Sequence, residues 1–341
     1  MKLDWKAGLG LAVSALLLWW VFRGEDLGQI ARGLASADLV MLIASGAIVT
    51  AGGLIRAFRW TLLLEPLGAA TSLGARWAAL NIGFMVTNVL GGRFGEVARP
   101  FALSRMAPVT MSGALGTVVL ERVLDAVALL VLLLVTLLSP AFPRDATVMG
   151  RPLGYAVSGA IAVAALALAL VSMMLVWPAL VLRVVRALAR VLPDHMAERV
   201  VAAVEAFLPG LDLARRPAAL LKALLWSLLL WAWMAAAFWT AFRAFGLDLG
   251  VTAALFAQCS VSIFVALPAG PGFLGTMQAG VGVAVHEVFG VAMGPTLALS
   301  IGYQLAGFIP VTLLGLYYAY GLGIRLGSLE EEAETALGKR G

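Results

Sequence analysis

Long apolar stretches, separated by short polar segments, run along almost the whole chain. The clearest cover residues 126–138, 156–176 and 223–242, where Ala and Leu dominate. Both residues favour the helix, and a helix needs about 20 apolar residues to cross a membrane, whereas a transmembrane strand alternates apolar and polar residues over about ten. The pattern therefore predicts an all-α polytopic membrane protein.

The candidate membrane segments differ in length, and the short ones end at glycine or proline. Segment 78–90 contains Asn88 and ends in Gly91-Gly92, which predicts a re-entrant hairpin over residues 78–92. Segments 252–267 and 273–288 are separated by a Pro/Gly run, so residues 252–288 form a broken segment, either a re-entrant hairpin or two spans. The full set of candidate segments is 7–22, 39–57, 78–90, 111–138, 153–177, 220–242, 252–267, 273–288 and 295–322.

Composition supports a membrane location and excludes other classes of protein. Of the 341 residues, 62% are hydrophobic and 13% are charged, with a mean hydropathy of +0.98, whereas soluble domains carry about 25% charged residues. A soluble enzyme, a secreted disulfide scaffold and a disordered chain are excluded. The net charge of +5 comes from basic residues scattered between apolar stretches, so we do not expect nucleic acid as a partner.

The distribution of basic residues predicts an orientation in the membrane. Most of them fall in one set of loops, to which we assign Arg56 and Arg59 at the end of segment 39–57. Basic loops favour the cytoplasmic side, so we expect a multi-pass protein of the inner membrane with both termini in the cytoplasm. This orientation requires residues 78–92 to enter and leave on the cytoplasmic side.

The whole chain, residues 1–341, is interpreted as a single transmembrane domain with a central linker. Within residues 180–216, Arg183, Arg186 and Arg190 share one helix face, which predicts a cytoplasmic amphipathic helix whose arginines face anionic headgroups. An ordinary solvated linker helix is the alternative. Residues 328–341 form a charged tail.

Two glycine-rich breaks suggest that the chain contains two related halves, residues 1–138 and 220–322. Gly- or Pro-interrupted short segments in corresponding halves are typical of inverted repeats with a binding site at their interface. Two independent loops in a glycine-rich chain are the alternative. The proposed hinge residues are Gly91, Gly92 and Gly95 in the first half and Pro271, Gly272 and Gly275 in the second.

Charged residues gather around the first break. Arg93, Glu96 and Arg99 are spaced at i, i+3 and i+6, roughly one face of a helix. Together with Asn88 before the break and Gln278 after the second one, they form a candidate substrate-binding set.

A second charged group, Glu121, Arg122 and Asp125, lies inside segment 111–138. Each such residue costs about 2.5–3.5 kcal/mol at the centre of a membrane helix, so Glu121 and Asp125 need a partner or a water-filled cavity. Arg93 or Arg99 is the nearest cationic candidate. A structural ion-pair network and direct contact with substrate both stay open. We find no metal-binding or catalytic motif and assign no catalytic residue, metal or cofactor.

The three motifs together resemble the lysylphosphatidylglycerol synthase transmembrane-domain family, which includes the flippase half of the multiple peptide resistance factor. The matching residues are Gly91, Gly92, Gly95, Glu96, Arg99, Glu121, Arg122, Asp125, Pro271, Gly272, Gly275 and Gln278. Many members have an acidic residue where this chain has Gln278. The resemblance implies inverted repeats with re-entrant helices and translocation of lipid between leaflets. It does not imply synthase activity, because no aminoacyl-transferase domain follows the last span.

We therefore expect a lipid flippase that moves a phospholipid or polyprenyl-linked headgroup through a polar cavity between the repeats. The arginines would attract phosphate, while Glu96, Glu121 and Asp125 would hold the arginines and select any cationic part of the headgroup. The alternative is a membrane transferase, or an accessory subunit, acting on lipid-linked substrates, with Glu121 and Asp125 as its acid–base or metal-holding pair. A homodimer stays open.

Overall fold

The computed structural model describes residues 5–68, 70–91, 94–148, 150–152, 177–189, 215–267 and 269–323, with isolated positions between 154 and 213. In this part of the chain the architecture is helical, which confirms the predicted class. A two-residue antiparallel pair, Thr147–Val148 (β1) with Arg151–Pro152 (β2), is the exception. The helices are Trp5–Phe22 (α1), Leu27–Ala35 (α2), Leu39–Leu64 (α3), Leu73–Leu90 (α4), Phe94–Met106 (α5), Met111–Leu138 (α6), Pro178–Ala189 (α7), Pro217–Ala244 (α8), Val251–Val265 (α9), Thr276–Val281 (α10) and Met293–Gly321 (α11).

Short polar residues and a proline determine where the long helices begin. The side chain of Asp38 accepts hydrogen bonds from the second and third backbone N–H groups of α3. Ser72 and Thr110 cap α4 and α6 in the same way, and Pro217 occupies the first turn of α8. These side chains satisfy N–H groups that a helix start leaves without partners, and proline there loses nothing because its missing N–H would be unpaired.

In the part of the chain that the structure describes, three helical stretches are long and apolar enough to cross a membrane: Leu39–Leu67, Pro217–Ala244 and Met293–Gly321. They include most of the predicted segments 39–57, 220–242 and 295–322. Helix α3 packs against both α8 and α11. Helix α8 also packs against α6 and α9, and α11 packs against α4.

Helix α3 extends beyond its predicted end. Arg56 and Arg59, which we placed in a cytoplasmic loop, lie inside the helix, and the Arg59 side chain is fully buried. The loop assignment is wrong because the apolar sequence from Trp60 to Leu64 continues the helix past the two charges.

Helices α4 and α5 form the first hairpin. They pack closely along each other around Gly83 and Gly95, where a Cβ on Gly95 would collide with the Gly83 carbonyl oxygen and the Thr87 hydroxyl. Only glycine allows this approach. Residues 78–90 of the predicted re-entrant hairpin are part of one continuous helix, α4, which is the first arm of this pair. Gly92 and Arg93 lie outside the described residues, and entry and exit on one side of the membrane stays a prediction.

The second hairpin consists of α9, a 3₁₀ turn at Pro271–Phe273, α10 and a π-helical turn at Gly282–Val288. The Ser260 hydroxyl on α9 donates a hydrogen bond to the Gly280 carbonyl on α10 at 2.7 Å. Residues 252–288 are therefore broken, as predicted, and fold back on themselves. Pro268 lies outside the described residues.

The tips of the two hairpins meet. Gly91 ends α4 with φ +76°, and a Cβ there would stand 2.7 Å from the backbone nitrogen of Pro271. A side chain at this position would push the tips apart. The breaks that the sequence places in separate halves are thus adjacent in space, while inverted-repeat symmetry stays a prediction.

The central linker is described only in part. In α7, Arg183 and Arg186 are exposed, in keeping with a polar helix face. Arg190, nearly all of residues 191–214 and the tail 328–341 lie outside the described residues, so the amphipathic linker over residues 180–216 stays a prediction.

Candidate functional site

Five charged side chains from three helices form a cluster inside the helical bundle. Helix α3 contributes one, α5 one and α6 three, and we call them the charged cluster. The Arg59 and Glu121 side chains are fully buried, whereas 39% of the Arg122 side chain is exposed. The members are Arg59, Arg99, Glu121, Arg122 and Asp125.

Glu121 is the centre of the charged cluster. The Arg99 guanidinium donates two parallel hydrogen bonds to its carboxylate oxygens, each 3.1 Å long. The Arg59 Nη2 lies 3.0 Å from Oε1, and the neighbouring Arg122 also donates to Oε1. The predicted pairing of Glu121 with Arg99 is confirmed, in the bidentate geometry that makes such pairs strong.

Asp125 lies one turn further along α6 and binds a second set of donors. Arg59 donates to Oδ1, the Trp231 indole N–H donates to the same oxygen at 3.0 Å, and Arg122 Nη2 lies 3.2 Å from Oδ2. Arg59 also donates to the Ser227 hydroxyl at 2.6 Å. Residues from α8 therefore complete the cluster, and sequence reasoning missed both of them.

Both carboxylates are buried, and each of their oxygens lies within ion-pair or hydrogen-bond distance of at least one donor. A general base or a metal-holding carboxylate needs an accessible lone pair, and neither Glu121 nor Asp125 offers one in this arrangement. Among the residues that the structure describes, no three His, Cys, Asp or Glu side chains gather into a set that could hold a metal ion.

Two tryptophans support arginines at the cluster, and each is held by α6. The Trp60 indole N–H donates to the Thr117 hydroxyl at 2.8 Å, and its ring centroid lies 4.5 Å from the Arg99 guanidinium carbon. The Trp231 ring, held through Asp125, lies 5.5 Å from the guanidinium carbon of Arg56. A cation over an indole face is attracted by the ring quadrupole.

The charges of the cluster do not balance. Within the cluster three guanidinium groups face two carboxylates, and Arg122 is its most exposed member. The Glu96 carboxylate, on α5, is close enough to attract Arg122 electrostatically. Arg93, the remaining predicted member of this group, lies outside the described residues.

A second polar network, without charge, holds the tip of the second hairpin. The Gly275 N–H donates to Gln278 Oε1 at 2.8 Å, and Gln278 Nε2 donates to Gln304 Oε1 at 2.6 Å. Gln304 in turn donates to the Gly272 carbonyl at 2.5 Å. The tip is also bound to α1, where Ser14 accepts a hydrogen bond from the backbone N–H of residue 270 at 2.8 Å.

The backbone at this tip is strained. Gly272 and Phe273 both have left-handed φ values, +63° and +59°, and a non-glycine residue in that region is uncommon. On the first hairpin, Asn88 Nδ2 donates to the Thr312 hydroxyl of α11 at 2.8 Å. Among the described residues, Arg99, Glu121, Arg122 and Asp125 therefore lie in the charged cluster, whereas Asn88, Gly91, Pro271, Gly272 and Gln278 lie at the hairpin tips.

The family comparison concerns nearly the whole chain. Residues 8–315 match the family described as the lysylphosphatidylglycerol synthase TM region. The chain belongs to this family. The match includes the charged cluster and both hairpins of this helical membrane protein, in agreement with the resemblance carried by the glycine and Glu/Arg motifs. No curated protein and no solved structure was found to match the chain.

Proposed function

We propose that this member of the lysylphosphatidylglycerol synthase TM-region family is a lipid transporter of the inner membrane. It moves a phospholipid or polyprenyl-linked headgroup between leaflets while the acyl chains stay in the bilayer. Both termini face the cytoplasm, and movement is passive or driven by an ion or proton gradient. The observation that carries the proposal is the buried charged cluster, whose partly exposed member is the arginine Arg122.

Stability does not account for this cluster. Replacing a buried ion network with apolar side chains is often neutral or stabilising, and ionisable groups in membrane helices are expensive and usually serve a function. A cluster whose carboxylates are saturated and whose exposed member is an arginine is suited to receive an anion. Phosphate is the anion that lipid headgroups share, and arginine binds it through two parallel hydrogen bonds.

The contact between the two hairpin tips suggests how the headgroup enters the protein. They abut at Gly91 and Pro271, and strain at Phe273 is the kind of feature found where a segment has to move. In the proposed mechanism the tips separate to admit the headgroup and close behind it. The transferase alternative loses its best candidate residues, since Glu121 and Asp125 are occupied by arginines.

A reconstitution assay tests the proposal. Purified protein is placed in liposomes with fluorescent phosphatidylglycerol, with and without an imposed proton gradient, and translocation is followed by chemical quenching of the outer leaflet. We expect Arg122→Gln to slow translocation about tenfold, because a charge-assisted hydrogen bond to the headgroup is lost. Arg243→Gln, at an exposed arginine paired with Asp248, is the matched control. Equal rates for wild type, Arg122→Gln and protein-free liposomes would refute transport.

A further inference from the structure

Arg56 differs from the arginines of the charged cluster in having no anion. It lies on α3 one turn before Arg59 and is partly exposed. Its guanidinium carbon lies 5.4 Å from the Phe84 ring centroid and 5.5 Å from that of Trp231. In the part of the chain that the structure describes, no Asp or Glu lies within ion-pair distance of it.

Arg99 shows what is missing at Arg56. Both guanidinium groups lie against a tryptophan whose indole N–H is bound by a residue of α6. Arg99 also has the bidentate Glu121 carboxylate, 3.1 Å from each terminal nitrogen. The Arg56 site has the same aromatic support and no carboxylate, so its guanidinium hydrogen-bond donors are left for a ligand.

The charge balance around Arg56 points to the same conclusion. Glu96, Glu121 and Asp125 face four arginines here, since Arg56 and Arg122 both lie within electrostatic range of the cluster. One positive charge remains uncompensated inside the helical bundle. Aromatic rings stabilise a cation only in part, and an unpaired charge in a low-dielectric environment is costly. A bound anion would complete both the geometry and the charge.

We propose that Arg56, together with Arg122, binds the phosphate group of an anionic lipid headgroup, and that Trp231 is the positioning residue that holds Arg56. The inference rests on the proposed function and narrows its substrate to lipids of net negative charge. It also replaces the expectation that Glu121 and Asp125 select a cationic headgroup, because their oxygens are already occupied. A lipid is favoured over a soluble phosphate because Arg56 lies on α3, which is apolar and long enough to cross a membrane.

Lipid binding in detergent micelles tests this site without any transport step. The purified protein is titrated with phosphatidylglycerol or phosphatidylcholine, and retained lipid is counted by native mass spectrometry. We expect Arg56→Gln to weaken phosphatidylglycerol binding about tenfold, because the charge-assisted bonds to phosphate are lost. Phosphatidylcholine binding should be weak in both proteins. Arg243→Gln, which removes another arginine held over a tryptophan at 5.4 Å, should bind like wild type.

A conservative variant and a soluble competitor distinguish the lipid site from a folding defect and from a site for soluble phosphate. Arg56→Lys keeps the charge but not the planar fork, so it should fold like wild type and bind phosphatidylglycerol with intermediate affinity. Inorganic phosphate, added as a competitor, should displace the lipid only weakly. If inorganic phosphate alone showed the dependence on Arg56, the ligand would be a soluble phosphate and the lipid assignment would be overturned.

The failure of this inference can be told apart from the failure of transport. If Arg56→Gln and Arg56→Lys both bind phosphatidylglycerol as wild type does, the site assignment is wrong even where liposomes show translocation. If binding depends on Arg56 but no translocation occurs, the phosphate site stands and the transport proposal falls.

Discussion

The two hairpins share a plan but are held in place by different chemistry. Each folds back at a glycine-containing break, and the two tips meet at Gly91 and Pro271. The first hairpin is bound to α6 by a charged pair, Arg99 with Glu121. The second is bound by neutral groups, Gln278 with Gln304, and by backbone N–H groups.

This difference indicates a division of roles. Ion pairs in a low-dielectric interior are strong when complete and costly when broken, so the first hairpin has a fixed position beside the cluster. Amide hydrogen bonds are weaker and can be exchanged for others, which suits a tip that moves. Under the proposed function, we propose that the headgroup is recognised beside the first hairpin and that the tip of the second hairpin is the gate.

Breaking the charged attachment should have the largest effect. Glu121→Gln removes the carboxylate that Arg59, Arg99 and Arg122 share, and we expect a loss of about 3–5 kcal/mol in the free energy of unfolding, measured by denaturation in detergent. Glu65→Gln is the control, because Glu65 pairs with Arg216 at an exposed site where such pairs contribute about 0–1 kcal/mol. Equal losses in the two variants would mean that the cluster does not hold the first hairpin.

Separating the tips should have the next largest effect. Gly91→Ala adds a Cβ against the Pro271 backbone and forces a left-handed φ on alanine, a combined cost of about 2–4 kcal/mol. Gly24→Ala is the matched control for Gly91→Ala, because Gly24 also has a positive φ, +80°, but no atom lies within 4 Å of the added Cβ. Its free energy of unfolding should fall only by the cost of the left-handed φ, about 1–2 kcal/mol. A melting temperature that falls equally in both variants would argue against the tip contact.

Breaking the neutral attachment should have the smallest effect. Gln278→Ala leaves the Gly275 N–H and one oxygen of Gln304 without partners, a loss of about 1–3 kcal/mol in the free energy of unfolding. Gln304→Ala removes the other half of the same network, so the double variant should lose less than the two single losses added together. Strict additivity in this double-mutant cycle would show that the two glutamines act separately.

The sequence was sufficient for the helical fold class and for part of the site. The i, i+4 spacing of Glu121 and Asp125 inside an apolar helix required a cation, and the preceding break made Arg99 a candidate. Arg59 was assigned to a loop because the predicted segment ends at its first arginines, whereas α3 continues to Leu64. Ser14, Trp231 and Gln304 contact residues far away in the chain, and no local pattern marks such pairs.

The headgroup selectivity of translocation tests the central claim most directly. Liposomes with the wild-type protein would carry fluorescent phosphatidylglycerol in one sample and fluorescent phosphatidylcholine in another, and the two rates would be compared with those of the Arg56→Gln, Arg122→Gln double variant. The account predicts that wild type moves phosphatidylglycerol at least about tenfold faster and that the double variant loses this preference. Equal rates for both lipids in wild type, or a preference unchanged in the double variant, would contradict it.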